Sequence, residues 1–160
     1  LNINSLLSSC NSKYFINGTE SFKRISDNSV DFIFSQAVLE HVDKMEFKTF
    51  LLETKRVLSK SGICSHRVDL TDHLDGGLNN LRFSERVWES NLFKKSGFYT
   101  NRLRFCQIVN ICRLIGFKIK KIEIRKWKTS VIRNSHLNKQ FKIFSDEELM
   151  IKGFDLILEK

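Results

Sequence analysis

Apolar residues along the chain fall into two rhythms. "SVDFIFS" (residues 29–35) is apolar without alternation at its centre, the pattern of a strand buried on both faces of a parallel sheet. "ICSHRVDL" (63–70) predicts another strand, and "KYFIN" (13–17), closed by Gly18, a short one before it. Between them Phe47, Phe50, Leu51, Thr54, Val57 and Leu58 recur at three- and four-residue steps, predicting an amphipathic helix that Ser61-Gly62 ends. Leu103, Cys106, Val109, Ile111 and Leu114 predict a second helix, stopped by Gly116. "FKIKKIEIRKW" (117–127) alternates apolar and basic residues, as a strand with one wet face does. "SDEELM" reads as a Ser-capped helical turn and "GFDLILEK" as a closing strand.

Strand, helix, strand, helix and two late strands predict an α/β layered domain, with strands 13–17, 31–35 and 63–69 parallel and helices on the sheet faces. Strands 117–127 and 153–159 are expected to pair antiparallel at one edge. Ligands of such sheets bind beyond the carboxyl ends of the strands. Three ends carry polar groups: Gly18-Thr19-Glu20, Ser35 to His41, and Asp69 to His73.

Composition narrows the class. The 160 residues suffice for one domain with a core, and no apolar run is long enough to cross a membrane. No secretory signal is visible, and the chain begins with Leu1, which suggests a fragment. Four cysteines without a CxxC pair point to reduced thiols and a cytoplasmic location. The net charge of +9 is uneven: residues 1–80 hold nine Lys/Arg against ten Asp/Glu, residues 81–160 eighteen against eight. A basic half suits nucleic acid, an anionic surface or a phosphorylated substrate, or is simply solvated. No nucleic-acid motif accompanies it, so charge alone does not establish such a partner. The sequence sets no oligomeric state.

The run "NGTESFKRISDNSVDFIFSQAVLEHV", followed by "FLLETKRVLSKSGICSH", resembles the class I S-adenosylmethionine-dependent methyltransferases, of the type 11 kind. The resemblance spans that family's third to fifth strands, with "LEHV" after the fourth and Arg56-Val57-Leu58-Ser59-Lys60-Ser61-Gly62 in place of the usual R-V-L-K-P-G-G. It covers residues 13–70 well and 100–160 loosely. It implies a Rossmann-like, mostly parallel sheet with an antiparallel final strand, truncated at its N-terminus. The family's G-x-G-x-G loop and the acid that holds the cofactor ribose have no counterpart here. The chain is therefore expected to be one partial domain over 1–160, inactive alone and carrying roughly half of a cofactor pocket.

Carried over by position, the resemblance places Gly18, Thr19, Glu20, Ser35, Gln36 and Ala37 against S-adenosylmethionine, with Ala37 small enough for close approach. Ser35 and Gln36 would serve equally as a helix N-cap. Methyl transfer needs alignment, plus a base where the nucleophile carries a proton. His41, Asp69 and His73 are the candidates on the acceptor side, His41 first; a capping or packing role for His41 is the alternative. Glu40, Asp69 and Asp72 with His41, His66 and His73 offer oxygen and nitrogen atoms of the kind that hold a metal. Relatives that bind a divalent ion use E-x-x-E-H, and Ala37 stands at its first Glu, so no metal is expected. Residues 71–101 are polar enough to be a substrate-recognition insert, with Trp88 and Phe98 offered for stacking. An O- or N-methyltransferase acting on a small polar or glycan-type acceptor is the leading expectation. The alternative is a non-catalytic basic binding module derived from that fold.

Overall fold

The computed structural model describes residues 2–160. Helix α1 (Ile3–Ser9) and a 3-10 turn (Gly18–Arg24) precede strand β1 (Val30–Gln36), and a second 3-10 turn spans Leu39–His41. Helix α2 (Phe47–Val57) leads into β2 (Leu58–Asp69). The following segment holds a 3-10 turn (Asn79–Arg82) and two single-turn helices, α3 (Glu85–Trp88) and α4 (Asn91–Lys94). Helix α5 (Phe105–Ile115), β3 (Lys118–Lys126), α6 (Asp146–Leu149) and β4 (Ile151–Glu159) complete the chain.

The four strands form one sheet in the order β1-β2-β4-β3. β1 and β2 are parallel, joined through α2 as a crossover unit. β4 lies antiparallel between β2 and β3, and its pairing with β3 is the antiparallel one expected of 117–127 and 153–159.

Strand periodicity sorts the side chains. Cys64, His66 and Val68 of β2 and Phe154, Leu156 and Leu158 of β4 are buried under α2 and α5, with Leu51, Ile108 and Cys112 opposite them. Gly116 ends α5 in the left-handed conformation at φ 88°, open to glycine at no steric cost. A second cluster gathers Leu78 and Leu81 with Leu137, Phe141 and Leu149, tying the segment after β2 to the stretch before β4.

Three expectations are corrected. Lys13–Asn17 forms no strand, because no described strand lies beside it; Tyr14 and Ile16 are exposed. Helices cover one sheet face only, so Phe32 and Phe34 on the other are 59% and 73% exposed, their rings 6.0 Å apart. Ser61-Gly62 does not stop α2. The helix ends at Val57, and Gly62 lies inside β2, where a Cβ would stand 2.8 Å from Leu58 Cδ1.

Candidate active site at the strand ends

After β1 the backbone turns through Ala37 at φ 52°, a left-handed conformation costly for any side chain larger than hydrogen. The Ala37 N–H donates to Arg67 O at 2.9 Å, so this turn is fastened to β2. Two residues on, Leu39 and Glu40 are buried while His41 is exposed. The Glu40 carboxylate accepts the N–H of Asp69 at 3.3 Å, bridging the ends of the two parallel strands. Asp69 in turn accepts the Thr71 N–H at 2.8 Å, which shapes the exit from β2.

His41 and His73 meet across this junction. Their Nε2 atoms are 3.2 Å apart and their ring planes within 2° of parallel. The Tyr99 carbonyl lies 3.0 Å from His41 Nδ1, and a carbonyl only accepts. Neutral His41 is therefore protonated at Nδ1, which leaves Nε2 as an acceptor for the His73 N–H. Sequence reasoning named both histidines; the contribution of Tyr99, 58 residues from His41, left no local signal.

His66 has a different fate. Its ring lies on the buried face of β2, with Nδ1 2.8 Å from Ser35 Oγ and Nε2 unpartnered. Burial holds its pKa down at about 4, so the imidazole is neutral. Ser35 thus directs its hydroxyl toward the core, while the Gln36 amide makes no hydrogen bond among the described residues. Gln36 and Ser35 border an open depression of about 410 Å³ that continues over the bare sheet face to Arg67 and Asp155.

Gly18, Thr19 and Glu20 stand apart from this junction. They line a separate depression of about 240 Å³ with Met45, Glu46 and Thr49, and Thr19 donates to Glu46 Oε2 at 3.3 Å. Arg56 fixes that segment, donating to Phe22 O at 2.7 Å and Ile25 O at 3.0 Å. The structure therefore unites the second and third strand ends and leaves the first separate. The Gln36 amide and the small, left-handed Ala37 stand together at the end of β1.

The segment after β2 is less available than its polarity suggests. Trp88 is fully buried against Phe83, Phe93 and Tyr99, and its indole N–H donates to Thr100 O at 2.7 Å. It does not face a ligand, whereas Phe98 is exposed. The Asn101 amide donates to Leu39 O and Val42 O, holding the turn that bears Glu40 and His41. Among the described residues, no group of three or more His, Cys, Asp or Glu is placed to hold a metal ion. No described helix is long and apolar enough to cross a membrane.

Comparison with known proteins follows this geometry. The family model described as a methyltransferase domain matches residues 8–65. A SAM-dependent methyltransferase from Archaeoglobus fulgidus superposes with TM-score 0.54 at 13% identity, over 93% of this chain and 67% of that one. One from Methanosarcina mazei gives 0.56 at 17% identity, with the same coverages. The (4+2)-cyclase SpnF gives 0.57 at 12% identity, over 98% of this chain and 60% of its own. No curated protein matches in sequence. At these identities the structural likeness is one of fold. The chain thus matches a methyltransferase domain over residues 8–65 and shares the fold of SAM-dependent methyltransferases over nearly its whole length.

Proposed function

We propose that this chain supplies the acceptor side and part of the cofactor side of an S-adenosylmethionine-dependent methyltransferase. Its acceptor is a small polar or glycan-type molecule, methylated on oxygen or nitrogen. The observation that carries the reading is the His41–His73 pair at the joined ends of β1 and β2, with His41 Nδ1–H held by Tyr99 O. Held as the Nδ1–H tautomer, His41 carries its basic lone pair on Nε2, where an acceptor's proton would take the place of the His73 N–H.

Bound S-adenosylmethionine supplies an electrophilic methyl group. Gln36 and Ala37 would border it at the end of β1, with Ser35 behind them and Gly18, Thr19 and Glu20 toward its adenine end. His41 would take the acceptor's proton at Nε2, in place of the hydrogen bond from His73. Asp69 shapes the loop that carries His73. Residues 71–101 would form the acceptor wall, with Phe98 its exposed ring. The chain spans 67% of the length of the Archaeoglobus and Methanosarcina relatives. A non-catalytic binding module is the second reading, favoured by the separation of the two depressions that border the cofactor residues.

The test is transfer of a labelled methyl group by the whole protein to a panel of polyol, phenol and amine acceptors. His41→Ala is expected to lower turnover about a hundredfold while leaving cofactor affinity nearly unchanged. Unchanged turnover in both His41→Ala and His73→Ala removes the base. Absence of any cofactor binding by the whole protein leaves the binding module.

A further inference from the structure

Behind the histidine pair, Glu40 faces inward to a small chamber bordered also by Thr71, Asn80, Thr100, Arg102 and Arg104. Glu40, Asn80, Arg102 and Arg104 are each at most 4% exposed. Each is anchored by part of its polar group. Glu40 accepts from Asp69 N–H, and the Asn80 amide donates to Thr100 Oγ1 at 3.0 Å. Arg102 donates to Phe83 O and Glu85, and Arg104 to Ile151 O and Glu148 O. Each keeps one buried polar atom without a partner: Glu40 Oε2, Asn80 Oδ1, Arg102 Nε and Arg104 Nε. Leaving such an atom unmet costs about 1–3 kcal/mol, and the four residues that bear these atoms line one space, which points to an occupant there.

The unmet atoms define that occupant. Two are N–H donors on guanidinium groups and two are acceptors, so it must both accept and donate. The chamber measures about 10 Å³, roughly the space of one water. An ionised carboxylate or phosphate dianion has no proton to donate to the two acceptors. An ammonium offers no lone pair to the two arginines and repels their charge. A hydroxyl group satisfies both conditions.

We propose that this chamber is a subsite for one hydroxyl group of the acceptor, which displaces a water, accepts from Arg102 and Arg104, and donates to Glu40 or Asn80. This rests on the acceptor-side reading above and narrows the acceptor to hydroxylated molecules, a sugar or another polyol. Asp69 and Thr71, only half-buried, form the outer wall through which the hydroxyl enters. Burial raises the Glu40 pKa to about 7, and both its ionised and its protonated forms can hydrogen-bond a hydroxyl.

The experiment is a titration of the isotope-labelled 160-residue chain with methyl glucoside, followed by NMR at the arginine Nε–H and glutamate carboxyl signals. The Arg102 and Arg104 Nε–H and Glu40 signals should move together along one saturable curve. Ethylamine and acetate should produce no such curve. Asn80→Leu, which fills the chamber, should weaken the response about tenfold, whereas Glu40→Gln, nearly isosteric and still offering an acceptor oxygen, should leave it within about threefold. No saturable shift, an equal response to ethylamine, or unchanged affinity in Asn80→Leu overturns the proposal and leaves a permanent structural water. The titration needs neither cofactor nor turnover. A chain that binds the glucoside within a protein that transfers no methyl group loses only the methyltransferase reading, and the converse result loses only the subsite.

Discussion

Replacing Glu40 by Gln should change how stability depends on pH, and the size follows from two buried groups with opposed preferences. Burial, above all, raises the Glu40 pKa from its ordinary 4.5 to about 7, and burial lowers that of His66 from 6.5 to about 4. Folded Glu40 holds its proton more tightly than the unfolded chain does. Its contribution is complete below pH 4.5 and is lost as pH rises through 7. Folded His66 refuses its proton, so its contribution is complete above pH 6.5 and is lost as pH falls toward 4. Each difference is worth about 3 kcal/mol, and between pH 4.5 and 6.5 the two slopes nearly cancel. In Glu40→Gln only the histidine slope remains. The stability of the variant relative to the wild type should therefore improve by about 3 kcal/mol between pH 4.5 and pH 8. Urea unfolding followed by fluorescence of Trp88 and Trp127 at four pH values measures this. Any fixed cost of the substitution is common to all pH values and drops out of the comparison. A wild-type-to-variant difference that stays constant from pH 4.5 to 8 would refute the reasoning, because Glu40 would then be no harder to ionise in the fold than in the open chain.

Three further outcomes are expected. Cys64 and Cys112 are buried, with burial pushing both thiols up to about 12, whereas Cys10 and Cys106 are exposed. Maleimide labelling of the native chain should modify Cys10 and Cys106 first, the other two only after unfolding. Leu156→Ala removes a fully buried side chain from the centre of the sheet and should lower unfolding free energy by about 2–5 kcal/mol in urea. Phe34→Lys places a charge on the bare sheet face and should reduce self-association, read by light scattering, with little change in unfolding midpoint.

Local rhythm carried most of the elements. Alternation in 117–127, the three-and-four spacing before Leu58 and the glycine after Ile115 are each set by neighbouring residues, so the sequence displays them. Lys13–Asn17 shows the limit, since a strand needs a partner and β-prone residues cannot announce that none stands beside them. His66 was readable in principle: Cys64, His66 and Val68 share one face of β2, and two apolar neighbours predict burial for the third. Trp88 misled because a polar context suggests a ligand contact. Its ring instead meets Phe83 and Phe93 from the same segment, with Arg102 5.3 Å from its centre. The Glu40 chamber draws residues from near positions 40, 70, 80 and 100, a convergence that no window of sequence contains.

The place of β4 governs when this fold can exist during synthesis. β1 and β2 are built early with the helix between them, but among the described residues β3 has no neighbour in the sheet except β4. The interior strand is thus the last of the four to leave the ribosome. Until then β2 shows an open edge along Ile63–Asp69 and β3 has nothing to pair with. Such late, distant pairing slows folding and lengthens exposure to neighbouring chains. A nascent chain released before Ile151 would hold most of its sequence and little of its sheet, and chaperones would meet it in that state.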